Sequence, residues 1–256
     1  MSTIDERRER ASAGVALNHD PDAWEDGFAR PRVFLQPIAA PSILGLAGFA
    51  GATFMVASIQ AKWWGTPLDL RAVAPFCMLF GGVAQFMAGM WAYRARDAVA
   101  TLAHGTWGAF WIGFGILQIL QAAGTLPTPA PSAPDLGFGI WFVALAFCTW
   151  AAAFGALAEN IGLFAVLSTL ATGSTLTAAG LISGGFNSGW TTVGGWLFVF
   201  SAGFAVYTVL AMTLMSVTGR AILPTGEYKK KANIPGGKAI RPIELEWAEP
   251  GVKQGQ

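Results

Sequence analysis

Charge is what this sequence lacks most. Of its 256 residues, only 12% are Asp, Glu, Lys or Arg, about half the share of an average globular chain. No Lys or Arg occurs between Arg96 and Arg220, and the same stretch holds only three acidic residues. A soluble domain of that size could not cover its surface with so few charges. The sequence therefore predicts a polytopic membrane protein.

Residues that carry covalent or metal chemistry are also scarce. Cys77 and Cys148 both fall inside apolar runs, where buried free thiols are expected rather than a disulfide. His19 and His104 lie far apart, and neither has a Cys or carboxylate at metal-ligand spacing. Because no nucleophile–base pair stands out either, we expect no enzyme, no metal site and no cofactor. A net charge of +1 without a basic face gives no reason to expect a nucleic-acid partner.

Apolar segments are abundant instead, since 54% of the residues are hydrophobic. Six of these segments are each near the ~20 residues that a ~30 Å hydrocarbon core requires. We therefore predict an all-α membrane domain at residues 37–217. Its six transmembrane helices are expected at about 39–60, 72–93, 98–122, 136–156, 161–182 and 190–217.

Two polar tails, residues 1–36 and 218–256, flank this domain. The first tail opens with charged residues and no apolar core, so no cleaved signal peptide is expected. All Lys and Arg except Lys62 and Arg71 lie in the tails or in the turn at 93–97. Basic residues favour the cytoplasmic side. We therefore expect both termini in the cytoplasm and the protein in the cytoplasmic (inner) membrane.

The second and third helices carry polar faces on either side of this turn. The second places Gly81, Gly82, Gln85 and Gly89 on one face, and the third places His104, Trp107, Trp111, Phe114 and Gln118 on another. Small and amide residues opposite imidazole and indole rings suit two closely packed helices beside a narrow, partly polar path. We predict that Gln85, Trp107 and Trp111 line this path.

His104 has two interpretations. An ionisable residue inside a membrane helix is usually functional. A His titrates near ~6.5, so a protonated His104 would offer the only positive charge along the path, and flux would rise as pH falls. However, only six residues separate it from Ala98, or about 9 Å of helix. That position also fits a solvated structural residue near the inner mouth.

Hydroxyl side chains are concentrated in the fifth helix, where Ser168, Thr172 and Thr175 share a face. Such hydroxyls can bond back to their own helix or join neighbouring helices. They can also donate to a carboxylate in a path. We count Thr172 as a candidate for the lining, with Tyr207 in the sixth helix and Ser42 at the mouth of the first.

Four short motifs follow one another along the chain. They are Pro41 with Leu44-Gly45-Leu46, Phe80-Gly81-Gly82-Val83-Ala84-Gln85, Trp107-Gly108-Ala109-Phe110-Trp111, and Gly219-Arg220-Ala221-Ile222-Leu223-Pro224-Thr225-Gly226. Together they resemble the acetate uptake transporter family, the bacterial succinate–acetate permeases and their fungal relatives. That family shows Asn-Pro-Ala-Pro-Leu-Gly-Leu, Tyr-Gly-Gly-Ile-Ala-Gln, Tyr-Gly-Ser-Phe-Trp and Gly-Arg-Thr-Val-Leu-Pro-x-Gly in this order.

The resemblance implies a six-helix protomer with its own solute path, assembled as a homohexamer in membrane lipid. It implies passage of acetate and similar small carboxylates, linked to protons. The chain departs from the family at Trp107, where a Tyr is usual, and at His104, where an apolar or aromatic residue stands. Glu159 replaces the usual basic residue between the fourth and fifth helices.

Two other functions stay open at this point. One is a passive pore for a neutral solute such as undissociated acid, urea or ammonia, favoured by the lack of intramembrane carboxylates. The other is a structural or assembly subunit whose pore is closed, which the bulky Trp107 and the long tails permit.

Overall fold

A computed structural model describes residues 39–226, so the predictions for the two polar tails lie mostly outside the described residues. The described chain is all-α, with six long helices joined by short turns. They are α1 (Pro41–Gln60), α2 (Pro67–Ala95), α3 (Ala98–Ala122), α4 (Leu136–Ala156), α5 (Ile161–Gly184) and α6 (Gly189–Thr218). The predicted all-α class and the six predicted helices are confirmed, and the bounds of α3 and α4 coincide with the predicted ones.

Five of the helices (α1, α2, α4, α5 and α6) are long and apolar enough to cross a membrane. At 25 residues α3 has the length as well, but its polar face lowers its hydropathy. Large apolar side chains such as Phe147, Phe154 and Val206 point outward and are exposed, as expected where lipid is the solvent. The protein is an integral membrane protein with six membrane helices.

Helix ends are set by residues in the turns. Asp97, Asp135 and Asn160 each accept a hydrogen bond from a backbone N–H in the first turn of the following helix, at 2.8–3.1 Å. Such caps satisfy donors that a helix start leaves free. Pro41 opens α1, where its missing N–H costs nothing.

An irregular turn divides α2, which the sequence analysis did not predict. Pro75 lies within the helix, and because it has no N–H, a carbonyl of the preceding turn loses its partner. A π-helical stretch, Cys77–Ala84, follows at once, and such wide turns often occur at functional sites. Beyond it the backbone is regular again, and Gln85 is almost completely buried.

Glycines bring α1, α2 and α3 into backbone contact. A Cβ on Gly89 would lie 2.8 Å from the amide nitrogen of Gly105, and one on Gly48 would collide with the carbonyl oxygen of Phe80. Such approaches are typical of membrane helices, whose association depends on close packing. The predicted tight packing of the glycine-bearing faces is confirmed.

The bundle has two ends with different chemistry. At the end that we call outer, Lys62 donates to Asn187 at 2.6 Å and Arg71 donates to Thr128 at 2.7 Å. At the opposite end, which we call inner, the α2–α3 turn and the α4–α5 turn meet the residues that follow α6. The sequence predicts that this inner end faces the cytoplasm.

The chain after α6 folds back over the inner end instead of leaving it. The amide of Ile161 donates to the carbonyl of Gly226 at 3.0 Å, and the amide of Gly162 donates to that of Thr225 at 2.9 Å. We call residues 219–226 the strap. The packed membrane domain therefore extends beyond the boundary predicted at residue 217, because α5 uses the strap to satisfy its first amides.

Two glycines of α3, Gly108 and Gly113, provide a matched test of the packing between α2 and α3. A Cβ on Gly108 would lie 2.7 Å from backbone atoms of Phe86, whereas one on Gly113 would meet nothing within 4 Å. We expect Gly108→Ala to destabilise the purified protein by ~1–3 kcal/mol, as overpacking commonly does. Gly113→Ala should leave the thermal midpoint unchanged or slightly raised. Equal midpoints for the two variants would show that α2 and α3 are not in backbone contact.

Candidate solute path

A vestibule opens at the inner end of the bundle. Its empty volume is about 500 Å³, a figure that includes open solvent. Residues of α1, α5, α6, the α2–α3 turn, the α4–α5 turn and the strap line it, among them Ser42, Asp97, Glu159, Asn160 and Thr208. The strap contributes Ala221, Leu223 and Thr225, so it forms part of the wall.

A second cavity of about 370 Å³ adjoins the vestibule, and we call it the chamber. Ser42, Leu46 and Leu163 line both spaces. The chamber extends from the vestibule toward the middle of the bundle. Gln85, His104 and Trp107 line it there, together with apolar residues of α1, α3 and α5. The structure thus places four of the seven predicted lining residues (Ser42, Gln85, His104 and Trp107) around two adjoining cavities.

Polar atoms in the chamber lack partners within the described residues. Gln85 is 2% exposed and His104 is 3% exposed, and neither Gln85 Oε1 nor His104 Nδ1 has a hydrogen bond. A buried polar group left unpaired costs free energy. Both residues line the chamber, which makes them candidates for contact with a small polar solute.

The motif residues at the start of α1 and in α2 shape this space. The His104 ring lies against Gly45, where a Cβ would come within 2.6 Å of three ring atoms. Leu46 lines both cavities, whereas Leu44 is exposed on the outside of the bundle. Pro41 begins the helix. Because a Cβ at position 45 would collide with the His104 ring, the imidazole can occupy its place only when this residue is glycine.

Trp107 closes the deep end of the chamber, which is the end farther from the vestibule. Its indole Nε1 donates to Thr149 Oγ1 at 3.0 Å, and Phe49 and Phe198 meet its ring edge-on at centroid distances of 6.1 and 6.2 Å. Nine residues after the start of α3, Trp107 lies about 13 Å along the helix, near the middle of the hydrocarbon core. The anchoring role of Thr149 was not predicted, since it lies 42 residues away in sequence.

Trp111 lies one turn beyond Trp107, outside the walls of both cavities. It is buried, its Nε1 has no hydrogen bond among the described residues, and it packs against Phe110 at 4.9 Å. Gly81 makes room for this ring, and Gly82 lies against Ile112. Trp111 therefore lies in a cluster of aromatic rings on the side of Trp107 that faces the outer end of the bundle.

Two predicted lining residues lie elsewhere. Thr172 donates back to the carbonyl of Ser168 at 2.8 Å, the ordinary use of a hydroxyl inside a helix. Tyr207 is 39% exposed and donates to the carbonyl of Pro224 at 2.8 Å, so it fastens the strap. Neither residue belongs to the walls of the vestibule or the chamber, so the structure does not bring them together with Ser42, Gln85, His104 and Trp107.

A pair of acids lines the vestibule, which the sequence analysis missed. Burial and, to a smaller extent, the nearby charge of Asp97 together raise the pKa of Glu159 to about 7. Burial also raises the pKa of Asp97, against the lowering effect of hydrogen bonds from Ala100 and Val99. A signal existed in the sequence. Both acids stand in turns that the charge pattern places on the same side of the membrane.

The walls contain no compensating cation. Among the described residues that line the vestibule and the chamber, none is a Lys or an Arg. His104 is the one titratable side chain lining the chamber. Its predicted role as a pH switch stays a prediction.

Comparison with known proteins gives a consistent result. Residues 29–226 match the model of the GPR1/FUN34/yaaH family. The chain is 28% identical over 192 residues to the succinate-acetate/proton symporter SatP of Escherichia coli K12, which covers 74% of this chain and 96% of that protein. It is 30% identical over 175 residues to ammonia transport outward protein 2 of Saccharomyces cerevisiae, covering 68% and 61% of the two chains.

Two further relatives complete this picture. Acetate permease A of Emericella nidulans is 27% identical over 214 residues, covering 79% of this chain and 70% of that one. Among solved structures, the bacterial acetate channel SatP superposes with a TM-score of 0.66 at 23% identity, covering 74% of this chain and all of that chain. This similarity supports the six-helix fold described above.

The raised pKa of Glu159 predicts an effect on stability. The folded state holds the proton more tightly than the unfolded state, so stability falls as pH rises from 4.5 through about 7. We expect Glu159→Gln to raise the thermal midpoint at pH 8, where wild type must bury a charge. The difference should shrink toward zero near pH 4, and a constant difference at all pH values would show that Glu159 does not titrate in this window.

Proposed function

The chain belongs to the GPR1/FUN34/yaaH family of membrane transport proteins, and from this premise we propose that it carries acetate and similar small monocarboxylates. The solute would enter the vestibule at the inner end, pass Ser42 into the chamber and meet Gln85 and His104 below Trp107. Three relatives named for acetate, one of them the solved channel, support this substrate class.

The observation that carries this proposal is the chamber with its unpaired polar atoms. A carboxylic acid offers one donor and two acceptors. It can therefore accept from a His N–H and donate to an amide oxygen such as Gln85 Oε1. Its methyl group would rest against the apolar side chains of α1 and α5. Acetate is small enough for such a site. Its carboxyl group matches the polar side chains of the chamber, and its methyl group matches the apolar ones.

Weak binding is expected here because no Lys or Arg lines the cavities in the part of the chain that the structure describes. A conduit works when a solute enters favourably but also leaves readily. Neutral donors such as Ser42, Asn160 and a His N–H hold a carboxylate less firmly than a bidentate arginine would. This chemistry favours rapid passage over retention.

A passive pore for a neutral solute is the second candidate. The uncharged chamber favours it, because an anion would lose its hydration there without gaining a countercharge. One relative is named for outward ammonia transport, which fits the same chemistry. Passage of undissociated acid responds to a pH gradient in the same way as proton-linked acetate transport, whereas passage of a solute that does not titrate, such as urea, is independent of the gradient, so urea separates the two candidates.

We also propose that the protomers assemble as a homohexamer, as the family resemblance implies. Large apolar side chains on the outside of the bundle, such as Phe76, Phe147 and Phe154, are available to lipid and to a neighbouring copy. Native mass spectrometry in mild detergent should give six copies. A stable monomer would contradict the assembly.

Uptake of labelled acetate into proteoliposomes tests the function directly. An inward proton gradient should drive acetate above its external concentration if transport is proton-linked. Labelled urea that equilibrates independently of the gradient would support the passive pore for a neutral solute. Rates no higher than in empty liposomes would contradict both and favour a closed structural subunit.

Trp107 should set the size limit of the path. Trp107→Ala removes the ring that closes the chamber, so lactate uptake relative to acetate should rise by about tenfold, the discrimination that one extra group commonly supplies. Trp107→Phe keeps an aromatic ring but loses the bond to Thr149, and should change the ratio less. Competition of unlabelled lactate with labelled acetate measures this directly.

Thr149→Val is the matched control, because it keeps the size of the side chain and removes the hydroxyl, which accepts from the indole and donates to the carbonyl of Leu145 in its own helix. It should fold and keep the wild-type size limit while changing the acetate rate modestly. An unchanged lactate-to-acetate ratio in correctly folded Trp107→Ala would place the constriction elsewhere.

A further inference from the structure

Two acids face the vestibule of a path proposed for anions. Asp97 caps α3, accepting from the amide of Ala100 at 2.8 Å, and Glu159 stands in the α4–α5 turn. Both line the vestibule, and Glu159 Oε2 is buried without a hydrogen-bond partner among the described residues. When both acids are ionised, they present two negative charges to a carboxylate that approaches the chamber.

Neutral donors lie at the same place. Ser42 and Asn160 are each only 7% exposed, and both line the vestibule. Asn160 Oδ1 caps α5 by accepting from Leu163. In the part of the chain that the structure describes, neither the Asn160 amide nitrogen nor the Ser42 hydroxyl makes a hydrogen bond. Two enclosed donors without partners indicate that the vestibule binds an acceptor such as a carboxylate.

The other charged groups near this end do not line the vestibule. Arg94 and Arg96 end α2 and Arg220 opens the strap, but none of the three is in its walls. The described residues that line the vestibule from α1, α5, α6 and the strap are all uncharged. Tyr207 of α6 is bonded to the strap. His104 lies deeper, in the chamber.

We propose that the protonation state of Glu159 determines whether the vestibule admits a small carboxylate. Ionised, its carboxylate repels the solute beside Asp97. Protonated, its O–H becomes a third donor, with Ser42 and Asn160, to the solute's carboxylate. Only a proton on Glu159 is gained or lost in this step, and it exchanges with the solvent of the vestibule. The inference rests on the proposed function, because it assumes that a carboxylate uses this entrance.

The direction of the pH effect follows from the electrostatics. Burial and the Asp97 charge raise the pKa of Glu159 to about 7. Its neutral fraction is then roughly a tenth at pH 8 and roughly nine-tenths at pH 6. Entry should rise by about tenfold over this range. Because the Asp97 charge contributes to the raised pKa, removing that charge should move the rise to lower pH.

The test compares initial rates of labelled acetate uptake into proteoliposomes that contain the full chain, from pH 5.5 to 8.5. Glu159→Gln keeps the size and donates at every pH. The readout is the ratio of its rate to the wild-type rate at each pH, since the titration of acetate itself cancels. We expect a ratio of about ten at pH 8 and about one at pH 6.

Two further variants sharpen the comparison. Asp97→Asn keeps the helix cap, because Asn caps as well as Asp, and it should shift the wild-type rise to lower pH. Asp135→Asn is the same change at the cap of α4, at the outer end, and should keep the wild-type profile. His104→Gln should also keep the pH midpoint.

The outcomes separate this inference from the proposed function. If Glu159→Gln transports acetate with a ratio near one at every pH, the inference is wrong while the proposed function stands. If His104→Gln abolishes the pH dependence instead, the titrating group is in the chamber and the inference is overturned. If neither wild type nor any variant exceeds empty liposomes, the proposed function fails and this inference fails with it.

Discussion

The close approach of α1, α2 and α3 at their glycines is the constraint on which the rest of the structure depends. Gly89 lies against the backbone of Gly105, and Gly45 lies against the ring of His104. In a membrane, where lipid tails are as apolar as the helix surfaces, such contacts hold helices together. By setting how closely the three helices approach, they fix the positions of Gln85, His104 and Trp107 around the chamber.

The chemistry of the path follows from keeping charge out of the membrane core. Along the described cavities the polar atoms are hydroxyl, amide and imidazole groups, and the carboxylates stand only at the vestibule. A buried, unpaired charge would be costly, so a neutral lining is the stable one. In the proposed function, the solute completes the hydrogen bonds of Ser42, Gln85 and His104. Selection by charge is then left to the entrance, where water reaches Glu159.

Much of this arrangement could be predicted because its signals are local. Helical spacing placed Gln85, His104 and Trp107 on facing surfaces, and the run lengths placed the six helices. The acid pair of Asp97 and Glu159, the strap and the Thr149 anchor could not be found in this way. They join residues distant in sequence. Thr172 shows the opposite limit, since spacing identifies a shared face but does not show that its hydroxyl bonds to its own helix.

Locating a carboxylate directly in the protein would test the central claim, which is that each protomer carries the solute through its own vestibule and chamber. A crystal of the full chain grown with dichloroacetate, a small carboxylate that does not readily alkylate side chains, would place the chlorine atoms by their anomalous scattering. We expect a peak inside the protomer, between Gln85, His104 and Trp107. A peak confined to the surface of the bundle or to the space between protomers, with none in the chamber, would contradict this account.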